Sequence, residues 1–267
     1  MFQVDPNVQK ELQGSLTNNQ SVKLPFGAPQ MWWSNGKPAL LSVNEIQDAR
    51  RFGGFGVSRE DVEAQAGQIP AELPYNWKLF DDLTNTKGAT YSAYLSRTAW
   101  VAPIARRYRW MSFEGKNKSQ VEYLCYLAVM EQNKTLNPWG AVVISGSSYS
   151  GNAIDNAIKE FAQKTASIRG GVSQNFFFHP LGTWGNSPKP EERKGKNGSS
   201  SLITPCQLYV PENGYTEETL QKWFVPQEYH AELADLLRKS KDWLADWAKK
   251  DQPEQQDVNE SAEEAYP

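Results

Sequence analysis

One stretch constrains the fold more than any other: residues 91–210 carry patterned segments in the order strand, strand, strand, helix, strand, strand. The first, residues 91–100, is rich in Tyr, Thr, Trp and Ser and continues past Pro103 to residue 113. A proline cannot donate to a central ladder, so Pro103 marks a bulge or an edge. Residues 120–131 alternate by twos, with Val121, Tyr123, Cys125, Leu127 and Val129 on one side and Glu122, Leu124, Tyr126, Ala128 and Met130 on the other. Neither side is fully polar, so the outer face needs a cover, either the N-terminal extension or a ligand. Residues 139–145 form the third strand. Ile154, Ala157, Ile158, Phe161 and Thr165 then recur at helical spacing, an apolar stripe with Asp155 lying off it. Residues 174–181, with three consecutive Phe, and residues 202–210 complete the set.

That order predicts a mainly β protein with α elements, an OB-like five-stranded Greek-key barrel whose helix plugs one end. Residues 1–90 read as an N-terminal extension or small subdomain, 211–250 as a C-terminal helical segment, and 251–267 as a disordered acidic tail. Within the extension, residues 1–30 read as an extended arm. Residues 31–42 have the shape of a hairpin turning at Asn35-Gly36, 51–57 of a glycine-rich loop, and 69–87 of an irregular wrap. Residues 184–201 read as a disordered loop, because they have too little apolar area to bury. A long helix is expected over 226–250, with Leu233, Leu236, Leu237, Trp243, Leu244 and Trp247 as its apolar side.

Composition bounds the chemistry. At 267 residues, 39% hydrophobic and 22% charged, the chain reads as soluble and globular, with no apolar run near the ~20 residues of a membrane span. The start Met1-Phe2-Gln3-Val4-Asp5-Pro6 lacks the features of a secretion signal, which gives a cytoplasmic expectation. Cys125, Cys206, His179 and His230 form no close-spaced pair, so no zinc site or other cofactor is expected, and both cysteines read as buried free thiols. Gly53-Gly54-Phe55-Gly56 lacks the spacing of a phosphate loop. The turn Gly146-Ser147-Ser148-Tyr149-Ser150-Gly151 misses the nucleophile-elbow pattern by one position and has no acid and base partners. No catalytic role is therefore assigned.

Charge is informative once divided. Residues 251–267 carry six acidic residues and no basic one, so removing them from the net −3 leaves +3 on residues 1–250. Between Arg97 and Lys118 six basic residues are opposed only by Glu114. Aromatic residues are 12% of the chain and interleave with these cations. Bases stack on rings while Lys and Arg meet phosphates, so the pattern points to single-stranded nucleic acid. The candidate contacts are Trp100, Arg106, Arg107, Tyr108, Arg109, Trp110, Lys116 and Lys118 on the first strands, Tyr126 and Phe177 further along, and Trp184, Lys189, Arg193, Lys194 and Lys196 around the last loop.

The order of elements, the basic loops and the acidic tail together resemble the single-stranded DNA-binding proteins of bacteria, phages and plasmids. The resemblance covers residues 91–210 and the tail. It implies a non-catalytic, largely sequence-independent binder of single-stranded DNA, RNA being the other candidate. It also implies recruitment of replication, recombination or repair proteins by Glu263, Glu264, Tyr266 and Pro267 in the tail. Many bacterial members end in Pro-Phe after acidic residues, whereas this chain ends Ala265-Tyr266-Pro267 with aromatic and proline reversed. Two rival readings stand beside it: a protein adaptor docking through the Trp-rich C-terminal helix, and a metal-dependent nuclease or hydrolase using Asp81, Asp82 and Asp155.

Overall fold

The computed structural model describes residues 2–12, 28–35, 53–64, 76–84, 89–113, 116–131, 133–184, 191–194, 200–241 and 243. In chain order these form α1 (Pro6–Leu12), β1 (Gln30–Asn35), β2 (Gly53–Ser58), α2 (Arg59–Glu63), β3 (Lys78–Thr84), β4 (Thr90–Ser96), β5 (Thr98–Phe113), β6 (Lys116–Met130), β7 (Leu136–Ser147), α3 (Ser148–Thr165), β8 (His179–Gly182), β9 (Glu191–Lys194), β10 (Ser200–Ile203), β11 (Gln207–Leu208), α4 (Glu217–Lys222) and α5 (His230–Lys239). The protein is mainly β with some helices. None of its helices among the described residues is long and apolar enough to cross a membrane.

Nine strands make one mixed sheet in the order β11-β8-β5-β6-β7-β1-β2-β4-β3, and β9 and β10 form a separate hairpin. Every neighbouring pair in the large sheet is antiparallel except β1 and β7. The sheet is open, with β11 and β3 at its ends. It is nevertheless bent strongly, because only Arg97 separates β4 from β5: the first half of this run pairs with β2, the second with β6. Trp33 Nε1 donates to the Thr204 carbonyl at 2.9 Å and Thr183 Oγ1 to the Gly53 carbonyl at 3.3 Å, tying β1 and β2 to the segments around β8 and β11.

Inside the bend lies the main core. Met31, Trp33, Phe55, Val57, Tyr94, Val121, Tyr123, Cys125, Ile144 and the α3 side chains Ile154, Ile158 and Phe161 are all buried there. Burying a large apolar side chain contributes about 1.5–3 kcal/mol, so this set dominates stability. α3 approaches closely at its start because Gly151 packs on Gly146; a Cβ on Gly151 would lie 2.6 Å from the Gly146 oxygen. Cys125 and Cys206 are buried free thiols.

The sheet departs from the expected strand set in instructive ways. Residues 53–57, expected within the loop at 51–57, belong to a buried strand: Phe55 and Val57 point into the core while Gly54 and Gly56 occupy alternate positions. β1 takes β2 as its partner rather than residues 37–42, which lie outside the described residues. Residues 78–84 form the edge strand β3. The expected arm contains α1, held by buried Leu12. Residues 174–178 are mostly a tight helical turn, and only His179–Gly182 is strand, pairing with the outer side of β5. All three rings of Phe176, Phe177 and Phe178 are buried, because Phe177 packs beneath Phe2 and Phe224 while Phe176 packs on His230. The expected fifth strand is reduced to the two residues of β11 and the end of β10. The expected loop at 184–201 holds β9 and the start of β10, which pairs with it. α5 ends at Lys239, and residues 244–267 lie outside the described residues.

Candidate nucleic-acid interface

β5 and β6 pair continuously from Trp100 to Phe113 apart from one bulge at Pro103/Ala105, the position the proline marked. Their outer halves form an arm that β7 flanks on the β6 side as far as the Gln120–Ser147 pair and that continues as two strands over 110–113 and 116–119. Alternation places Arg106, Tyr108 and Trp110 on one side, toward α3, and Arg107 and Arg109 on the other.

On the α3 side the three residues make a ladder. The Arg106 guanidinium carbon sits 5.4 Å from the Tyr108 ring centre, and Tyr108 meets Trp110 edge-on at 5.9 Å with the planes at 90°. Trp110 is 56% exposed, the most exposed large apolar side chain among the described residues. The inner end of the ladder is fixed by Asp155, which accepts from Arg106 Nε at 2.7 Å, from Lys159 Nζ at 2.5 Å and from the Tyr123 hydroxyl. Burial pushes the Asp155 carboxyl up, but the hydrogen bonds from Lys159, Tyr123 and Arg106 outweigh it and hold the group below the usual carboxylate range. Burial, reinforced by Asp155, holds the Tyr123 hydroxyl well above its ordinary value, so it remains a donor. Asp155 is therefore an inward-facing anchor; its burial makes the helical stripe wider than apolar spacing alone suggests.

The opposite side is a polar network. Arg107 Nε donates to Glu122 at 2.7 Å, its Nη1 to the Trp243 carbonyl at 2.9 Å, and its guanidinium lies 4.0 Å from the Trp243 ring centre. Arg109 donates twice to Gln120 Oε1, and Gln120 in turn donates to Glu122 at 2.9 Å and to Ser145 at 3.4 Å. Among the described residues, the C-terminal segment covers the outer side of β6: Tyr126 donates to Glu232 at 3.1 Å and lies 6.0 Å from Tyr229.

The candidate residues divide accordingly. Trp100, Tyr126 and Phe177 are buried, at 5%, 3% and 0% exposure, and offer no open ring face, which corrects their assignment as stacking platforms. Trp100 packs against Trp184 and Trp223. Trp184 is half-buried, with its Nε1 donating to the Gln207 carbonyl at 3.3 Å. Arg107 is committed to Glu122 and Trp243, so it acts in packing. Arg106, Tyr108, Arg109 and Trp110 share the arm with the backbone of Lys116 and with exposed Lys118. Arg193 and Lys194 lie on β9, whose Glu191 accepts from the Tyr149 hydroxyl at 2.7 Å. The start of α3 thus touches both the β5–β6 arm, through Gly151 on Val121, and the β9–β10 hairpin, through Tyr149 on Glu191. Lys189, Lys196, Glu263, Glu264, Tyr266 and Pro267 lie outside the described residues.

Sequence reading passed over Trp32. It lies on β1 with its ring against Gly56, and Tyr91 meets it edge-on at 6.4 Å. The available signal was the pair Trp32-Trp33 in a strand, which must send one indole to each face.

Of the carboxylates of the nuclease reading, Asp81 and Asp82 sit on β3 and Asp155 sits on α3. Asp81, on edge strand β3, accepts from Ser92 at 2.7 Å, and Asp82 follows it at φ 58°. Asp155 is engaged on α3. No group of three or more His, Cys, Asp and Glu suited to a metal occurs among the described residues.

No family model, curated protein or solved structure matches this chain.

Proposed function

We propose that the protein binds single-stranded DNA without strong sequence preference, using the β5–β6 arm and the β9–β10 hairpin as two walls joined by the start of α3. The observation that carries the reading is the Arg106–Tyr108–Trp110 ladder, which ends in a Trp that is more than half exposed. An indole in water is costly unless something covers it, and a base offers a flat π-face at any sequence. Lys118 lies on the arm, and the β9 sequence carries Arg193 and Lys194 beside Glu191 and Glu192. A single strand can splay its bases onto such a ladder; a duplex keeps them stacked inside.

We read the scaffold as OB-like. What supports this is the pairing of one bent run, β4 and β5, with both β2 and β6, the antiparallel β5-β6-β7 meander, the parallel β7-β1 pair, and a helix directly after the meander. In this reading the β1–β2 hairpin, from the N-terminal ninety residues, takes the two places that residues 174–210 were expected to fill. The acidic segment 251–267 is assigned to recruiting replication or recombination proteins. The adaptor reading is weakened by the burial of Leu233, Leu237 and Trp243 within this chain.

The test is fluorescence anisotropy with labelled single-stranded and duplex oligonucleotides at two salt concentrations. Preference for single strands and affinity falling with salt are expected. Equal binding of both forms, or no binding, would overturn the reading.

A further inference from the structure

The outer face of β1 carries an aromatic seat that the arm does not account for. Met31 and Trp33 turn inward and are buried, so Trp32 turns outward, where it is only partly buried. Its indole lies across Gly56 of β2: a Cβ at that glycine would come within 2.5 Å of the ring. Only a residue without a side chain lets the indole lie so close to the backbone. Tyr91 on β4 braces it edge-on at 6.4 Å, with an interplanar angle of 63°. The indole also packs against the small cluster of Phe80, Leu83, Ala93 and Leu95.

This seat is continuous with the polar side of the arm. Trp32 pairs with Ser145 of β7, Ser145 pairs with Glu122 of β6, and the Ser145 hydroxyl hydrogen-bonds Gln120, which Arg109 holds from β5. The row from Arg109 through Gln120 and Ser145 to Trp32 therefore crosses three strand intervals, roughly 14 Å at ~4.8 Å each. Exposed Lys118 lies at its outer end, on the same side. Cation, amide, hydroxyl and ring in that order match phosphate, base edge and base face.

We infer that Trp32, seated on Gly56 and braced by Tyr91, is a second base-stacking subsite, reached by a single strand that leaves the arm near Arg109 and crosses β6 and β7. The inference rests on the single-strand reading above and extends it to the opposite side of the sheet. Trp32 adds affinity only for strands long enough to span both places.

The test compares wild-type protein with Trp32→Leu, which keeps apolar cover over the Phe80 cluster, on oligothymidylates from about 4 to about 16 nucleotides. The expected result is unchanged affinity for the shortest strands and a loss of roughly 5- to 100-fold for the longest. Wild-type and variant curves that coincide at every length would overturn the subsite while leaving the arm's role standing. Wild-type protein that binds no oligothymidylate would overturn both. As a check that does not depend on the variant folding, photocrosslinking of wild-type protein to a long strand carrying 5-iodouracil should label Trp32 or Tyr91. Adducts confined to the β5–β6 arm would overturn the subsite.

Discussion

Arg106 donates to Asp155 at 2.7 Å, joining the middle of β5 to the second turn of α3, so this arginine is already engaged before any ligand arrives. On the proposed reading its role in binding is to steady the Tyr108 ring. Asp155→Ala leaves Arg106 without its carboxylate in a partly buried site, and breaking such a pair costs about 3 kcal/mol. Urea denaturation should show a midpoint clearly below wild type; an unchanged midpoint would contradict the anchoring role.

His179 supplies a pH dependence. The ring is buried, stacks on Phe161 at 3.9 Å, and is pushed down to about 3 by burial, with the Gln174 carbonyl opposing only in part. The folded protein thus holds it neutral while the unfolded chain protonates near about 6.5. The unfolded state binds more protons below that value, so stability is full above about pH 6.5 and declines as pH falls toward 3, by up to about 1.4 kcal/mol per unit from this group. Burial lowers His230 as well, in the same direction. Melting temperature measured from pH 7 to pH 4 should fall in wild type and fall less steeply in His179→Phe.

Trp243 closes the C-terminal segment onto the sheet through Arg107. Replacing it with Ala removes a buried indole and the cation–π contact, about 3 kcal/mol by analogy with other buried Trp losses. Hydrogen exchange over α5 should accelerate selectively. Uniform acceleration across the sheet would mean that Trp243 is part of the global core instead.

The lysine-bearing hairpin should act without regard to sequence. Replacing Lys189, Arg193, Lys194 and Lys196 together with Ala should weaken binding to all single strands alike and flatten the salt dependence. Deleting residues 251–267 should leave binding unchanged or strengthen it, since the segment carries six negative charges. Weaker binding after that deletion, measured by anisotropy, would contradict the role given to the tail.

How far the sequence could be read depended on whether a segment's pattern was set locally. The β5–β6–β7 meander and α3 were legible because their periodicity runs over many residues, and Pro103 marked a true bulge. β2 was not, since glycines at alternate positions look like a loop until Trp32 is seen lying on one of them. The place of β1 beside β7 could not be read, because parallel pairing across more than a hundred residues leaves no local trace. Composition found the ring and cation types of the arm, yet it could not separate Trp110, which faces solvent, from Trp100, Tyr126 and Phe177, which the helices and the N-terminal arm cover. That distinction depends on tertiary packing alone.

On the proposed reading, Trp110 stacks on nucleic-acid bases. The most direct measurement is titration of intrinsic tryptophan fluorescence with a single-stranded oligonucleotide, in wild type and in Trp110→Ala, whose exposed position leaves the fold intact. Quenching in wild type, with loss of most of the quenching and roughly 5- to 100-fold weaker binding in the variant, is predicted. Identical titration curves for the two proteins would contradict it.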